Sequence, residues 1–328
     1  MWGNRNGWLI AIGMVVFLCA AFGYAVYAAG RTTAATELTD PARPGHSPET
    51  LAPIALPIDP LRVIELNISK GTDAGSIYWR AIDEVKENPR QYENFRPSLK
   101  DASKYAALAA IVEAAEHSHA DIFQRQPDAV VRYGPKPALR ALETLGNGCI
   151  YLGIQAATAK DYAGAKKWLT STYVLGLRLF QDRQSRAQLD IGIGMMAGAA
   201  QILAQIANVE KETTRAERLS DFVTQYRDYD KNHIKKIERV ITSIDPKVMR
   251  QYVGDVFNLA QSSDERVWRN EATLRLGLYK FNSPLPGDRL RANRTIRKLA
   301  VSDDPAVKAA ALAARDLTVE EYRKLGSE

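Results

Sequence analysis

The chain has 328 residues, enough to bury a sizeable core in one or two domains. Apolar residues make up 46% and charged residues 25%, which excludes wholesale disorder. A formal charge of +6 with both signs interspersed argues against nucleic acid as a partner.

After a short flank (1–7), residues 8–29 read WLIAIGMVVFLCAAFGYAVYAA, with no charge among them. As a helix this stretch would be ~33 Å long, enough for a hydrocarbon core of ~30 Å. Trp8 stands at one end and Tyr24 and Tyr27 near the other, where amphipathic rings settle at the interface. The expectation is a single-pass signal anchor with the remaining chain on the extracytoplasmic side. Cleavage after Val26-Tyr27-Ala28 is the competing reading, although the apolar run exceeds the ~7–15 residues of a usual signal core. Cys19 lies in this segment and Cys149 is the only other cysteine, so no intrachain disulfide is expected.

Residues 30–60 form a linker carrying Pro41, Pro44, Pro48, Pro53, Pro57 and Pro60. That spacing forbids a helix and favours extended geometry, with a reach of up to ~90 Å at ~3.1 Å per residue. Ile54, Leu56, Ile58, Leu61, Val63 and Ile64 offer its second half a way to lie against the folded body.

Residues 61–328 read as an all-α domain of roughly ten helices. Tyr78, Ile82 and Val85 mark a first helix that ends at Asn88-Pro89. Further helices are expected over 101–119, 138–160, 162–180 and 187–209. An apolar stripe from Leu219 to Ile244 predicts one long helix over 214–244. Asp245-Pro246 and Asp304-Pro305 each pair an N-cap with a proline at the first helical position. Thr318 and Glu321 form a capping box for the last helix. No stretch alternates with period two long enough to build a sheet. Ile191–Val209 is also uncharged, but Gly192, Gly194, Gly198 and three amide side chains favour a buried helix over a second span.

The stretch around 149–175 carries Leu152-Gly153, then Asp161-Tyr162 nine residues on, then Ala165 and Leu169. It resembles a tetratricopeptide-repeat helical hairpin, with Gly153 and Ala165 small where two helices cross. Cys149 stands where the pattern has a large residue, Thr172 where it has alanine, and no proline closes the second helix. Ile296, Leu299 and Ser302-Asp303-Asp304-Pro305-Ala306-Val307 are similar to a HEAT-type unit. The two resemblances imply an α-solenoid-like domain; an irregular helical bundle is the alternative. In a repeat, the first helix of the hairpin at about 138–180 would line a groove. Asn147, Tyr151, Ile154 and Thr158 would then face an extended peptide.

Two other clusters carry charge. Glu113, His117 and Asp121 would share one helical face, a spacing suited to a divalent metal, although a solvated helix end explains it better. Arg291, Arg294 and Lys298 would share another, within a region (215–298) of 18 basic and 11 acidic residues. That face suits an anionic lipid or cell-wall polymer. Gly192-Ile-Gly194-Met-Met-Ala-Gly198 lacks the preceding strand of a dinucleotide fingerprint and reads as helix packing. No nucleophile elbow, phosphate loop or zinc-protease motif occurs.

The expectation is therefore a membrane-anchored interaction or scaffolding module, not an enzyme, with no metal or cofactor and an unknown protein or peptide as partner. The alternatives are an enzyme with an all-helical carboxylate site, or a surface protein that binds anionic polymer or lipid.

Overall fold

A computed structural model describes residues 59–325, apart from 67, 134–136, 230–233, 235–240, 242, 264 and 284. The apolar segment 8–29 and most of the linker lie outside the described residues.

The described chain is almost wholly helical. It begins with a 3-10 turn, Pro60–Arg62, capped by the Asp59 carboxylate on Leu61 N–H. Val63 and Ile64 are buried against the bundle, and the Tyr173 hydroxyl donates to the Pro60 carbonyl at 2.8 Å. Pro60, Val63 and Ile64 thus lie against the folded body. Strand β1 (Lys70–Asp73) leads into helix α1 (Gly75–Glu87) and the single turn α2 (Pro89–Tyr92). Helix α3 (Ala106–Ala114) and strand β2 (His117–His119) follow. Next come α4 (Pro137–Thr158), α5 (Tyr162–Asp182), α6 (Arg186–Val209) and α7 (Thr213–Tyr229). The last five helices are α8 (Pro246–Ser262), α9 (Arg266–Asn282), α10 (Pro286–Leu299), α11 (Pro305–Asp316) and α12 (Val319–Leu325).

Two expectations are corrected. The helix foreseen over 101–119 is confined to Ala106–Ala114, and the chain then extends as β2. β2 pairs in parallel with β1, Lys70 opposite His117 and Asp73 opposite His119, so a small sheet is present after all. The helix foreseen over 214–244 is described as far as Tyr229; Ile234 and Ile241 beyond it are buried in the same core.

The local stop and start signals explain most boundaries. Asn88 N–H returns to the Glu84 carbonyl and Pro89 opens the next turn. Asp161, Asp245 and Asp304 each cap a helix through their carboxylates, on Gly164, Lys247 and Ala306 N–H respectively. Thr318 and Glu321 close their capping box reciprocally.

The helices from α4 to α7 form two successive hairpins with the same turn. In the first, Lys160 adopts a left-handed φ of 64° and Asp161 N–H bonds back to the Ala156 carbonyl at 2.9 Å. In the second, Lys211 adopts φ 65° and Glu212 N–H bonds back to the Ala207 carbonyl at 2.8 Å. Both close their helix with a left-handed residue and a bond spanning five residues, as in a Schellman-type end. The turns also meet, since the Lys166 ammonium of α5 lies 2.6 Å from Glu210.

α6 lies between α5 and α7 and is held by close backbone contact. A Cβ on Gly176 of α5 would sit 2.6 Å from the Gly192 carbonyl oxygen of α6. Among the described residues α6 is the one helix long and apolar enough to cross a membrane, and more than half of its apolar stretch is buried inside the bundle.

Three apolar clusters stabilise the domain. One joins α1, α3 and α4 through Tyr78, Ile82, Leu108, Ile111, Leu142 and Leu145. A second lies among α5, α6 and α7, around Tyr173, Leu203, Phe222 and Tyr226. The third joins α8, α9, α10 and α11 through Phe257, Leu276, Ile296 and Ala314.

Candidate functional site

The row Asn147, Tyr151, Ile154 and Thr158 runs along one side of α4. Asn147, Tyr151 and Thr158 are exposed and Ile154 is half-buried, so this side is not covered by a neighbouring helix. Helical geometry points the row away from the face that carries Cys149, Leu152 and Ala156, all of them buried. Glycines let neighbours close in on both flanks. A Cβ on Gly148 would lie 2.6 Å from the Phe95 ring, and one on Gly146 would meet Met195 of α6. On the first flank Gln155 clamps the loop, its Nε2 donating to the Pro97 carbonyl at 2.8 Å. On the other, a Cβ on Gly198 of α6 would touch Ile150 at 3.4 Å. The row is therefore a strip between the 95–99 loop and α6, bearing one aromatic, one aliphatic and one free amide. The Thr158 hydroxyl donates to the Ile154 carbonyl at 2.8 Å and is not a free donor. Cys149 beneath it is inert, because burial pushes its thiol up to about 12.

Arg291, Arg294 and Lys298 are all exposed on α10. The Arg291 guanidinium lies 4.1 Å over the Phe257 ring, so its flat face is partly used inside the domain.

The shared face of Glu113, His117 and Asp121 does not exist. α3 stops at Ala114, and alternation along β2 buries His117 while exposing His119. The His117 Nδ1 lies 3.0 Å from the Thr72 hydroxyl, and Glu113 pairs with Arg80. No group of three or more His, Cys, Asp or Glu side chains is placed to hold a metal among the described residues.

A feature not legible from the sequence is an open cleft of about 670 Å³ beside α1. Asp73, Asp83, Glu84, Glu87 and Asp121 line it, with Arg80, Arg125 and Trp79. Asp73 Oδ1 accepts the N–H groups of Gly75 (3.0 Å) and Asp121 (2.7 Å), which ties the start of α1 to the loop after β2. Burial works to raise the Asp73 pKa. The two N–H bonds, with the charges of His119 and Arg125, outweigh it and hold the carboxyl below its ordinary value. A Cβ on Gly75 would lie 2.4 Å from the Asp121 carbonyl oxygen, so this approach requires glycine. The excess of carboxylates makes the cleft attractive to cationic groups.

No family model matches the chain, and no curated protein or solved structure is significantly similar to it.

Proposed function

We propose that the protein is a membrane-tethered scaffold whose tandem hairpins, α4/α5 and α6/α7, hold an extended segment of a partner protein along the Asn147–Thr158 strip. In this reading residues 8–29 span the bilayer, residues 30–60 link the domain to it, and the domain is extracytoplasmic. The hairpins are units of an α-solenoid of the tetratricopeptide-repeat kind, and the domain performs no catalysis.

The observation that carries the proposal is the repeated turn at Lys160 and Lys211, together with the exposed row on the first helix of the first hairpin. Two like units placed in succession align their first helices side by side and offer a continuous surface. Tyr151 supplies a large amphipathic contact of the kind that dominates protein interfaces, and Asn147 supplies an amide to read backbone groups.

The test is selection of displayed peptides on the full chain in detergent, followed by calorimetric titration. Tyr151→Ala combined with Ile154→Ser should weaken a selected peptide roughly 30-fold, the loss of about 2 kcal/mol at a hot spot. Its circular dichroism should be unchanged, since both side chains reach solvent. Peptides that bind the double variant as tightly as the parent would refute the assignment of this strip.

A further inference from the structure

Helix α10 carries a second surface with its own chemistry. Ala292, Thr295 and Ile296 are buried against the domain. The opposite line, at i, i+4, i+7 and i+11, is Leu290, Arg294, Arg297 and Val301. Leu290 is 71% exposed and Val301, just past the helix end, 78% exposed, more than any other large apolar side chain among the described residues. Lys298 flanks this line and is also exposed. The line farthest from the core is thus two cations, Arg294 and Arg297, bounded by two apolar side chains.

The other charges of α10 are already engaged. Arg289 donates through Nε to the Ser283 carbonyl at 2.7 Å, and Arg291 stacks on Phe257. Asp288, the only acid in the helix, accepts the Ser283 hydroxyl at 3.3 Å. Nearby Asp304 caps α11 and pairs with Arg269. Arg294, Arg297 and Lys298 have no carboxylate at ion-pair distance among the described residues.

We infer that α10 is a peripheral contact for anionic phospholipid. Arg294, Arg297 and Lys298 meet the headgroup phosphates while Leu290 and Val301 enter the boundary between headgroups and acyl chains. Charge complementarity selects an anionic surface, and the apolar residues on the same line select a bilayer. A soluble polyanion satisfies the cations and leaves Leu290 and Val301 in water, whereas a lipid interface receives both. The surface differs from the α4 strip, so it stands whether or not that strip binds peptide. Each cation near an anionic membrane is worth roughly 5-fold in partition, or on the order of 100-fold for three.

The test uses the full chain carrying Cys19→Ser and Asn293→Cys, labelled on α10 with an environment-sensitive fluorophore. The buried Cys149 stays unlabelled. The protein is reconstituted into vesicles of phosphatidylcholine, alone or mixed with phosphatidylglycerol. The expected result is a blue-shifted emission only in the mixed vesicles, weakened by salt. Reversal of Arg294, Arg297 and Lys298 to Glu should abolish it, and Leu290→Ser should reduce it. Identical spectra in the two lipids would overturn the inference. So would a shift produced by soluble polyphosphate that Leu290→Ser leaves intact, which would mark a polymer site. Failure of the chain to stay with phosphatidylcholine vesicles would refute the tether alone, and the contrast between lipids on added vesicles would still decide the α10 contact.

Discussion

The backbone N–H of Phe123 donates to Asp182 Oδ2 at 3.1 Å, although Asp182 closes α5 and Phe123 lies in the loop after β2. The same carboxylate accepts from Gln184 Nε2 at 3.1 Å and Gln188 Nε2 at 3.2 Å, and the half-exposed Arg266 guanidinium approaches to 3.9 Å. Asn270 of α9 then donates to the Gln184 carbonyl at 2.8 Å. Loop, α5, α6 and α9 thus meet at one buried polar knot. Burial is the largest influence on Asp182 and raises its pKa; the donors oppose it without cancelling it. Asp182→Ala leaves three buried donors without an acceptor, and we expect a loss of about 3 kcal/mol. In a domain this size the melting temperature should fall by roughly 6–12 °C. Scanning calorimetry reads this directly; a loss below about 1 kcal/mol would mean that the knot is not a determinant of stability.

The glycines of α5 and α6 separate into two kinds. Gly176→Ala would force a methyl to 2.6 Å from the Gly192 carbonyl oxygen and 2.9 Å from Met195 Cβ, so the crossing must open. Overpacking of this kind costs about 1–3 kcal/mol. Gly194 has nothing within 4 Å of the added Cβ, and Gly194→Ala should stabilise α6 by about 0.5–1 kcal/mol through helix propensity alone. Urea denaturation of the two variants should move in opposite directions. A stabilising Gly176→Ala would mean the two backbones do not touch.

Asp73 gives the acid limb of stability a definite sign. Its folded pKa lies below the unfolded value of 3.8, so its contribution is complete above about 3.8 and fades as pH falls through the folded value. Asp182 has the opposite sense, because its raised pKa makes ionisation costly as pH climbs. Asp73→Asn should therefore lower the melting temperature near neutrality and change it little at the lowest pH where the protein stays folded. Thermal scans across the acid range test this; an equal loss at every pH would show that only the shape of the side chain matters.

Signals carried within a few residues were legible in the sequence. The caps at Asp245 and Asp304 and the box at Thr318 and Glu321 stand where their residue types place them, because capping is a contact over two or three positions. The glycines around 192 were readable as packing residues, and Gly192 does meet Gly176. What escaped was non-local. β1 and β2 are too short to show alternation, and their pairing joins Lys70 to His117. Asp73 and Asp121 meet only through that pairing, so the cleft has no sequence signature. The gap between 209 and 214 was legible, but the likeness of this turn to the first was hidden because lysine rather than glycine takes the left-handed position at 160 and 211. The signal available was an alanine four residues before each of those lysines, followed directly by an acid: Ala156-Lys160-Asp161 and Ala207-Lys211-Glu212.

The central claim, that the α4 strip receives a partner, is tested most directly by site-specific photo-cross-linking in native membranes. A photoreactive residue at Tyr151 should yield a discrete adduct with one partner, and the same residue at Gly254, an exposed position with open space around it, should not. The adduct peptide should map to an extended segment of that partner. Equal labelling at Tyr151 and Gly254, or no adduct at Tyr151 under conditions where the chain is folded and membrane-bound, would contradict the account.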